Sequence, residues 1–219
     1  MALVDTLEEQ ALLEQVLDDS KPIVPEDCGS LHYLLFTPFR YGAPYPRGSR
    51  FRRAGLTPGV FYASLQATTA VAEMAFWRLL FYAESPATPW PANPGEYTAF
   101  SVRFSAGKGL DLTRPPLNRD AERWTHPIDY SPCQVLADTA RESDVVAIRY
   151  PSARAPGQNV ALLACAAFAS PAPVERQGWR IHVGPMGVRA ICNFPEQRLA
   201  FDRGAFGRDL RIATLAWQR

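Results

Sequence analysis

Apolar and polar residues alternate along this chain with two different periods, and the periods mark out its elements. Over residues 6–19, Leu13, Val16 and Leu17 make one helical stripe with acidic residues around it. Thr6-Leu-Glu-Glu9 opens that segment as a capping box, the Thr6 hydroxyl taking the Glu9 amide while Glu9 reaches back. The stripe predicts a helix packed on the domain, with a partner-binding arm as the other reading. Residues 69–83 predict a second helix, with Thr68 or Thr69 as its cap. Its charged residues are Glu73 and Arg78 alone, so most of its surface must be buried. Residues 131–141 predict a third, with Gln134, Asp138 and Arg141 on its polar side. Short apolar or alternating runs read as strands: residues 31–36, 59–64, 97–104, and 145–150 with Pro151 closing the last. Residues 160–168 are apolar throughout and fit strand or helix; the flanking Pro-Gly and Ser-Pro pairs favour a strand. Residues 179–183 and 188–192 predict a hairpin around Gly184-Pro-Met-Gly187. Pro38, Gly42, Pro44, Pro46 and Gly48 make residues 37–58 a long loop. Residues 85–95 are a proline-rich loop, residues 113–130 are irregular, and the basic arm from residue 201 onward carries no clear signal. About six short strands and three helices without regular βαβ spacing predict an α+β fold, a mixed and largely antiparallel sheet core with flanking helices.

Composition narrows the class. A chain of 219 residues, 47% apolar and 21% charged, suits one folded domain. The division read here is an acidic helix and linker over residues 1–24 and a single domain over residues 25–219. The first residues hold no basic run, which predicts no secretory signal. The longest apolar run, residues 160–169, is too short for a membrane span of about 20 residues. Cys28, Cys133, Cys165 and Cys192 lie far apart with no Cys-x-x-Cys pair, which predicts four reduced, mostly buried thiols in a cytoplasmic protein. With His32, His126 and His182 as the only histidines, no metal site is expected. The net charge of +1 speaks against a bulk basic surface for nucleic acid. That balance hides an uneven distribution: residues 1–27 are acidic, while residues 40–53 hold five arginines and no carboxylate.

Four features carry candidate chemistry. Glu73 is a lone carboxylate in an apolar helix. Arg40 and Arg50 stand in the arginine-rich loop before it. Phe61-Tyr62 lies on the preceding strand, and Tyr150-Pro-Ser-Ala-Arg154 follows a later one. Each alone has a plainer reading: a buried ion pair, a solvated loop, a core tyrosine, a turn serine. Together they suit one reaction type. Arginine binds phosphate through a permanently charged fork. Tyrosine offers a flat face to an aromatic ring. A carboxylate in an apolar wall can hold a ribose hydroxyl and stabilise an oxocarbenium-like transition state. A non-enzymatic module that binds a nucleotide or a partner is the competing class.

At these residues the chain resembles the RES-domain family, named for an Arg, a Glu and a Ser. The resemblance runs through Leu31-His-Tyr-Leu-Leu-Phe-Thr-Pro-Phe-Arg-Tyr41, Arg47-Gly-Ser-Arg-Phe51 and Pro58-Gly-Val-Phe-Tyr-Ala-Ser64. It continues in Thr69-Ala-Val-Ala-Glu73, Ile148-Arg-Tyr-Pro-Ser-Ala-Arg154 and Asn159-Val-Ala-Leu-Leu163. It implies a RES-type catalytic domain with a fold similar to the diphtheria-toxin-like ADP-ribosyltransferases. It also implies a bacterial toxin that consumes NAD+ by hydrolysis, phosphorolysis or transfer of ADP-ribose to a protein. The implied partner is an Xre-type antitoxin that blocks the active site. Carried over, Arg50 matches the family Arg, among Arg47, Arg50, Arg52 and Arg53. Glu73 matches the Glu, and Ser152, with Ser64 as the alternative, matches the Ser. Arg40, Tyr41 and Tyr62 fall where NAD-contacting residues are placed. Val71 and Ala72 stand where many ADP-ribosyltransferases carry a Glu-x-Glu or Gln-x-Glu pair, which argues against arginine as the acceptor.

Overall fold

The computed structural model describes residues 5–41 and 47–218. The breakers Gly42, Pro44 and Pro46 of the expected long loop, and the first four residues, lie outside them.

The helices in chain order are α1 (Leu7–Asp19), α2 (Tyr33–Arg40), α3 (Ala67–Glu84), the single turn α4 (Ala121–Trp124), α5 (Ser131–Glu142) and the short α6 (Leu210–Ala213). The strands are β1 (Phe61–Ser64), β2 (Gly95–Phe100), β3 (Gly109–Asp111), β4 (Ala147–Pro151), β5 (Gln158–Leu162), β6 (Arg176–Gly184), β7 (Gly187–Asn193) and β8 (Glu196–Phe201). They form two four-stranded sheets, ordered β1-β5-β4-β3 and β2-β6-β7-β8, antiparallel except where β3 runs parallel to β4. The architecture is α+β, two largely antiparallel sheets with flanking helices.

The capping box forms at α1: Thr6 accepts from the Glu9 amide at 3.1 Å, and the Glu9 carboxylate accepts from the Asp5 and Thr6 amides. The expected packing does not. No residue of α1 is buried, and Leu12, Val16 and Leu17 stand exposed. The stripe is too narrow to hold a helix by burial, and the contact with the body runs through Arg40, which pairs with Asp18 at 3.5 Å and donates to the Pro22 carbonyl at 2.6 Å.

The strand expected at residues 31–36 is instead the start of α2. Leu31, Leu35 and Phe39 recur at helical spacing and pack together into one core cluster, and His32 Nδ1 caps the helix by accepting from the Leu34 amide. The loop expected from residue 37 begins only after Arg40, because Pro38 is accommodated inside the helix.

α3 is the central element. It starts at Ala67 with Gln66 in the cap position, so neither Thr68 nor Thr69 caps it; Thr69 is buried and donates to the Pro156 carbonyl at 3.0 Å. Phe76 and Leu79 are fully buried against Trp179, Ile181 and Ala190 of the second sheet, each contributing about 1.5–3 kcal/mol of apolar burial. One face, with Met74, Trp77 and Phe81, remains exposed. The hairpin of β6 and β7 forms as expected. Gly187 has a φ of +115°, and a Cβ there would collide with the Phe201 carbonyl oxygen. The C-terminal arm, without signal in the sequence, supplies β8 and α6, and Trp217 stacks on Trp90.

Residues 160–168 divide. β5 ends at Leu162 and a 3-10 turn covers Cys165–Ala167. That turn packs on the one at Glu26–Cys28, and Cys28 and Cys165 are joined by a disulfide across 137 residues. The expectation of four reduced thiols therefore fails for this pair; Cys133 and Cys192 are buried free thiols. Spacing along the chain could not reveal a pairing made by two packed turns.

Candidate active site

The site grows from one row across three strands. In the antiparallel register Ser64 lies opposite Asn159, and Asn159 opposite Tyr150. Directly paired residues share a face, so the three side chains stand together. Asn159 is 4% exposed. Its Oδ1 accepts from the Ser64 hydroxyl at 2.7 Å, and its Nδ2 donates to Glu73 Oε1 at 2.7 Å.

The loop after β4 brings the second partner. It folds back on itself, with the Ser152 amide donating to the Gly157 carbonyl, and lies against the first turn of α3. Gly157 has a φ of +119°, and a Cβ there would collide with Thr69 Oγ1, so the close approach requires glycine. This places Ser152 over Glu73. Its hydroxyl accepts from the Arg154 and Ala155 amides at 3.1 and 3.2 Å and donates to Glu73 Oε1 at 2.7 Å. Two N–H donors fill the serine lone pairs, so the hydroxyl proton is directed at the carboxylate. Both bonds to Glu73 land on Oε1. Among the described residues Oε2 takes none.

Arg50 is buried and donates to the Trp124 carbonyl at 2.6 Å and the His126 carbonyl at 3.1 Å, with its guanidinium 4.7 Å from the Tyr130 ring centroid. It thus anchors residues 124–130 beside the site. Tyr62 is 39% exposed, yet its hydroxyl is tucked away from solvent, 2.9 Å from the Ser49 hydroxyl and accepting from the Phe51 amide at 2.9 Å. Burial of that hydroxyl pushes the phenol up to about 12, against those two hydrogen bonds and the charges of Arg50 and Arg141. Burial also drives the Tyr150 phenol well above its ordinary value, with Tyr62 and Glu73 adding to the rise and Arg50 opposing it. Tyr150 therefore senses Tyr62, Glu73 and Arg50 together.

Both candidate serines thus reach the Glu73 carboxylate, Ser152 directly and Ser64 through Asn159, while Arg50 and Tyr62 lie around Tyr150, the strand partner of Asn159. The other candidates make their contacts elsewhere. Arg40 faces Pro22 and Asp18, and Tyr41 is exposed with its carbonyl accepting from Arg52. Arg47 pairs with Glu84 on the surface, Arg52 is buried against backbone carbonyls, and Arg53 pairs with Asp138. Tyr130 escaped sequence reasoning, while Tyr150 and Asn159 lie in segments that carry the resemblance but had no role of their own there. The signal available for Asn159 was a Gln158-Asn159 amide pair opening an apolar strand, which only the register ties to Glu73.

A family model described as RES domain matches residues 25–184. The chain belongs to the RES-domain family. The matched segment of this RES protein holds Glu73, Ser64, Ser152 and Asn159, while β7, β8 and α6 lie beyond it. The family is one of NAD-related, toxin-like domains. No curated protein matches the chain. Among the described residues no helix is long and apolar enough to cross a membrane.

Proposed function

We propose that this RES protein cleaves the nicotinamide–ribose bond of NAD+ and passes the ADP-ribosyl group to an acceptor. The observation that supports it is the Glu73 carboxylate, held on one oxygen by Ser152 and Asn159 and open on the other. In the reaction the bond between the ribose C1′ and the nicotinamide nitrogen breaks. Its electron pair leaves with the ring, which becomes neutral nicotinamide. C1′ then bonds to an acceptor oxygen, whose proton passes to solvent. Such a dissociative step needs positioning and electrostatics more than an activated nucleophile. Glu73 fixes the ribose and stabilises the cation, Arg50 contributes fixed positive charge, and the open face of Tyr62 receives the nicotinamide ring. Water, phosphate and a protein side chain are the candidate acceptors. A toxin role with an Xre-type antitoxin accords with the exposed Met74, Trp77 and Phe81 beside Glu73, an apolar face that a blocking partner would cover.

Nicotinamide release from NAD+ by the purified chain tests the proposal. Thermal protection by NAD+ that stays intact over hours would instead establish a binding module. Incubating lysate with labelled NAD+ separates the acceptors: one sharp labelled band means a protein, and free ADP-ribose or its phosphate means a small acceptor.

A further inference from the structure

We infer that Asp209, outside the segment matched by the family model, is a positioning residue of the active site: it anchors the Arg154 guanidinium and thereby the turn that presents the Ser152 hydroxyl to Glu73. The inference rests on the NAD+-cleaving reading above.

Arg154 grips the site at both its ends. Its backbone amide donates to Ser152 Oγ, the atom that donates to Glu73. Its guanidinium lies 3.7 Å over the ring of Phe76, one helical turn beyond Glu73, and donates to the Pro127 carbonyl at 3.0 Å. That carbonyl belongs to the same segment that Arg50 holds at Trp124 and His126. The side chain is 5% exposed, and a cation so placed needs a counter-charge. Asp209 shares that role with Glu73: its Oδ2 is 3.6 Å from Arg154 Nη2, and its own side chain is 1% exposed.

Asp209 is itself clamped. Arg211 donates from Nε to Oδ1 at 3.0 Å and from Nη2 to Oδ2 at 2.7 Å, and its amide donates to Oδ1 at 3.1 Å. Burial alone would raise the Asp209 carboxyl, but these bonds and the charges of Arg211 and Arg154 hold it below its ordinary value. Phe206, Ile212 and Leu215 around it sit in the core cluster that contains Phe76. The carboxylate is therefore a fixed, charged point on the core, and a relay of contacts runs from Asp209 through Arg154 and Ser152 to Glu73. Weakening its first link frees the Arg154 turn without removing any group that meets substrate.

The test is steady-state nicotinamide release from NAD+ by the full chain in a double-mutant cycle. Asp209→Asn keeps a capping side chain at α6. It is expected to lower kcat about 10- to 100-fold, the scale on which small misplacements act, with the KM for NAD+ within about twofold. In a Ser152→Ala background the same substitution is expected to cost less than about twofold, because the hydroxyl it positions is gone. Losses that multiply would make Asp209 a stabilising residue only and overturn the inference, as would an unchanged kcat. If Asp209→Asn fails to fold, Arg154→Lys is read in the same cycle, with the same expected coupling. Asp202→Asn, on an exposed carboxylate of the same segment, leaves kcat unchanged. A wild type that releases no nicotinamide overturns the reading and the inference together. Wild-type release without coupling between Asp209 and Ser152 overturns the inference alone.

Discussion

Replacing Glu73 by glutamine isolates the charge of the site from its shape. The glutamine side chain is isosteric with the native one, and its carbonyl oxygen can still accept the 2.7 Å bonds from Ser152 and Asn159. What changes is their strength. A hydrogen bond to a charged group contributes about 1.5–3 kcal/mol and a neutral one about 0.5–1.5. Two bonds weakened in this way, on a half-buried group that water also screens, lose about 1–2 kcal/mol in all. That lowers the unfolding midpoint by about 3–8 °C in a chain of this size. The kinetic loss is larger. A carboxylate about 4 Å from a unit positive charge, at an effective dielectric constant of about 20, is worth about 4 kcal/mol. The ribosyl carbon carries part of a unit charge in the transition state, so about 3–4 kcal/mol is lost. The rate of nicotinamide release should fall about 100- to 1000-fold. Thermal unfolding and nicotinamide release on the same preparation read both quantities. A folded Glu73→Gln protein that cleaves NAD+ within about threefold of the wild-type rate would refute the electrostatic role.

Asn159→Ala should cost about 1–3 kcal/mol of stability, because it strands the Ser64 hydroxyl and removes one donor to Glu73; chemical denaturation measures this, and a neutral result would mean that water takes over both bonds. Cys28→Ser opens a disulfide that spans 137 residues, and typical losses of about 2–4 kcal/mol predict an unfolding midpoint lower by about 5–15 °C. The same fall should appear when a thiol reductant is added to the wild type and should be absent in the variant. Tyr62 carries a pH signature. Its phenol is raised to about 12 in the folded chain and titrates near 10 when unfolded. The folded state therefore holds the proton more tightly, and the stabilisation is complete below about pH 10 and lost between about pH 10 and 12. Tyr62→Phe should flatten the alkaline fall in stability over that window, and an unchanged slope would place the titration on another group.

Much of the local structure was legible from residue pattern. The α1 capping box is a four-residue device closed within one turn, and α3 announces itself by apolar content that only a buried helix tolerates. Glu73 was conspicuous for the same reason, a charge where the surroundings exclude charge. Elements whose pattern is ambiguous went the other way. Leu31, Leu35 and Phe39 sit at helical spacing, but the aromatic richness of that stretch favours a strand. β8 alternates on an exposed edge with too few apolar residues to stand out. The α1 stripe resembles a packing face, yet nothing local determines whether a partner surface stands beside it.

What sequence alone determined was where α1 and α5 begin and which charged and polar residues stand out in their segments, since both depend on neighbours within one turn or one strand. Only the tertiary structure decided which of those residues meet. Ser152 lies 79 residues from Glu73 and Asn159 lies 86. They converge because the β1-β5-β4 register and the Gly157 turn are set by long-range packing. Among the arginines the decision came from the company each keeps: Arg47 and Arg53 have surface carboxylates, Arg52 has carbonyls of its own loop, and Arg50 is drawn to the carbonyls of residues 124–130 beside the tyrosines. The Cys28–Cys165 bond and the Asp209–Arg154 pair follow the same rule. Each joins segments far apart in the chain, and only the folded backbone brings their side chains within bonding distance.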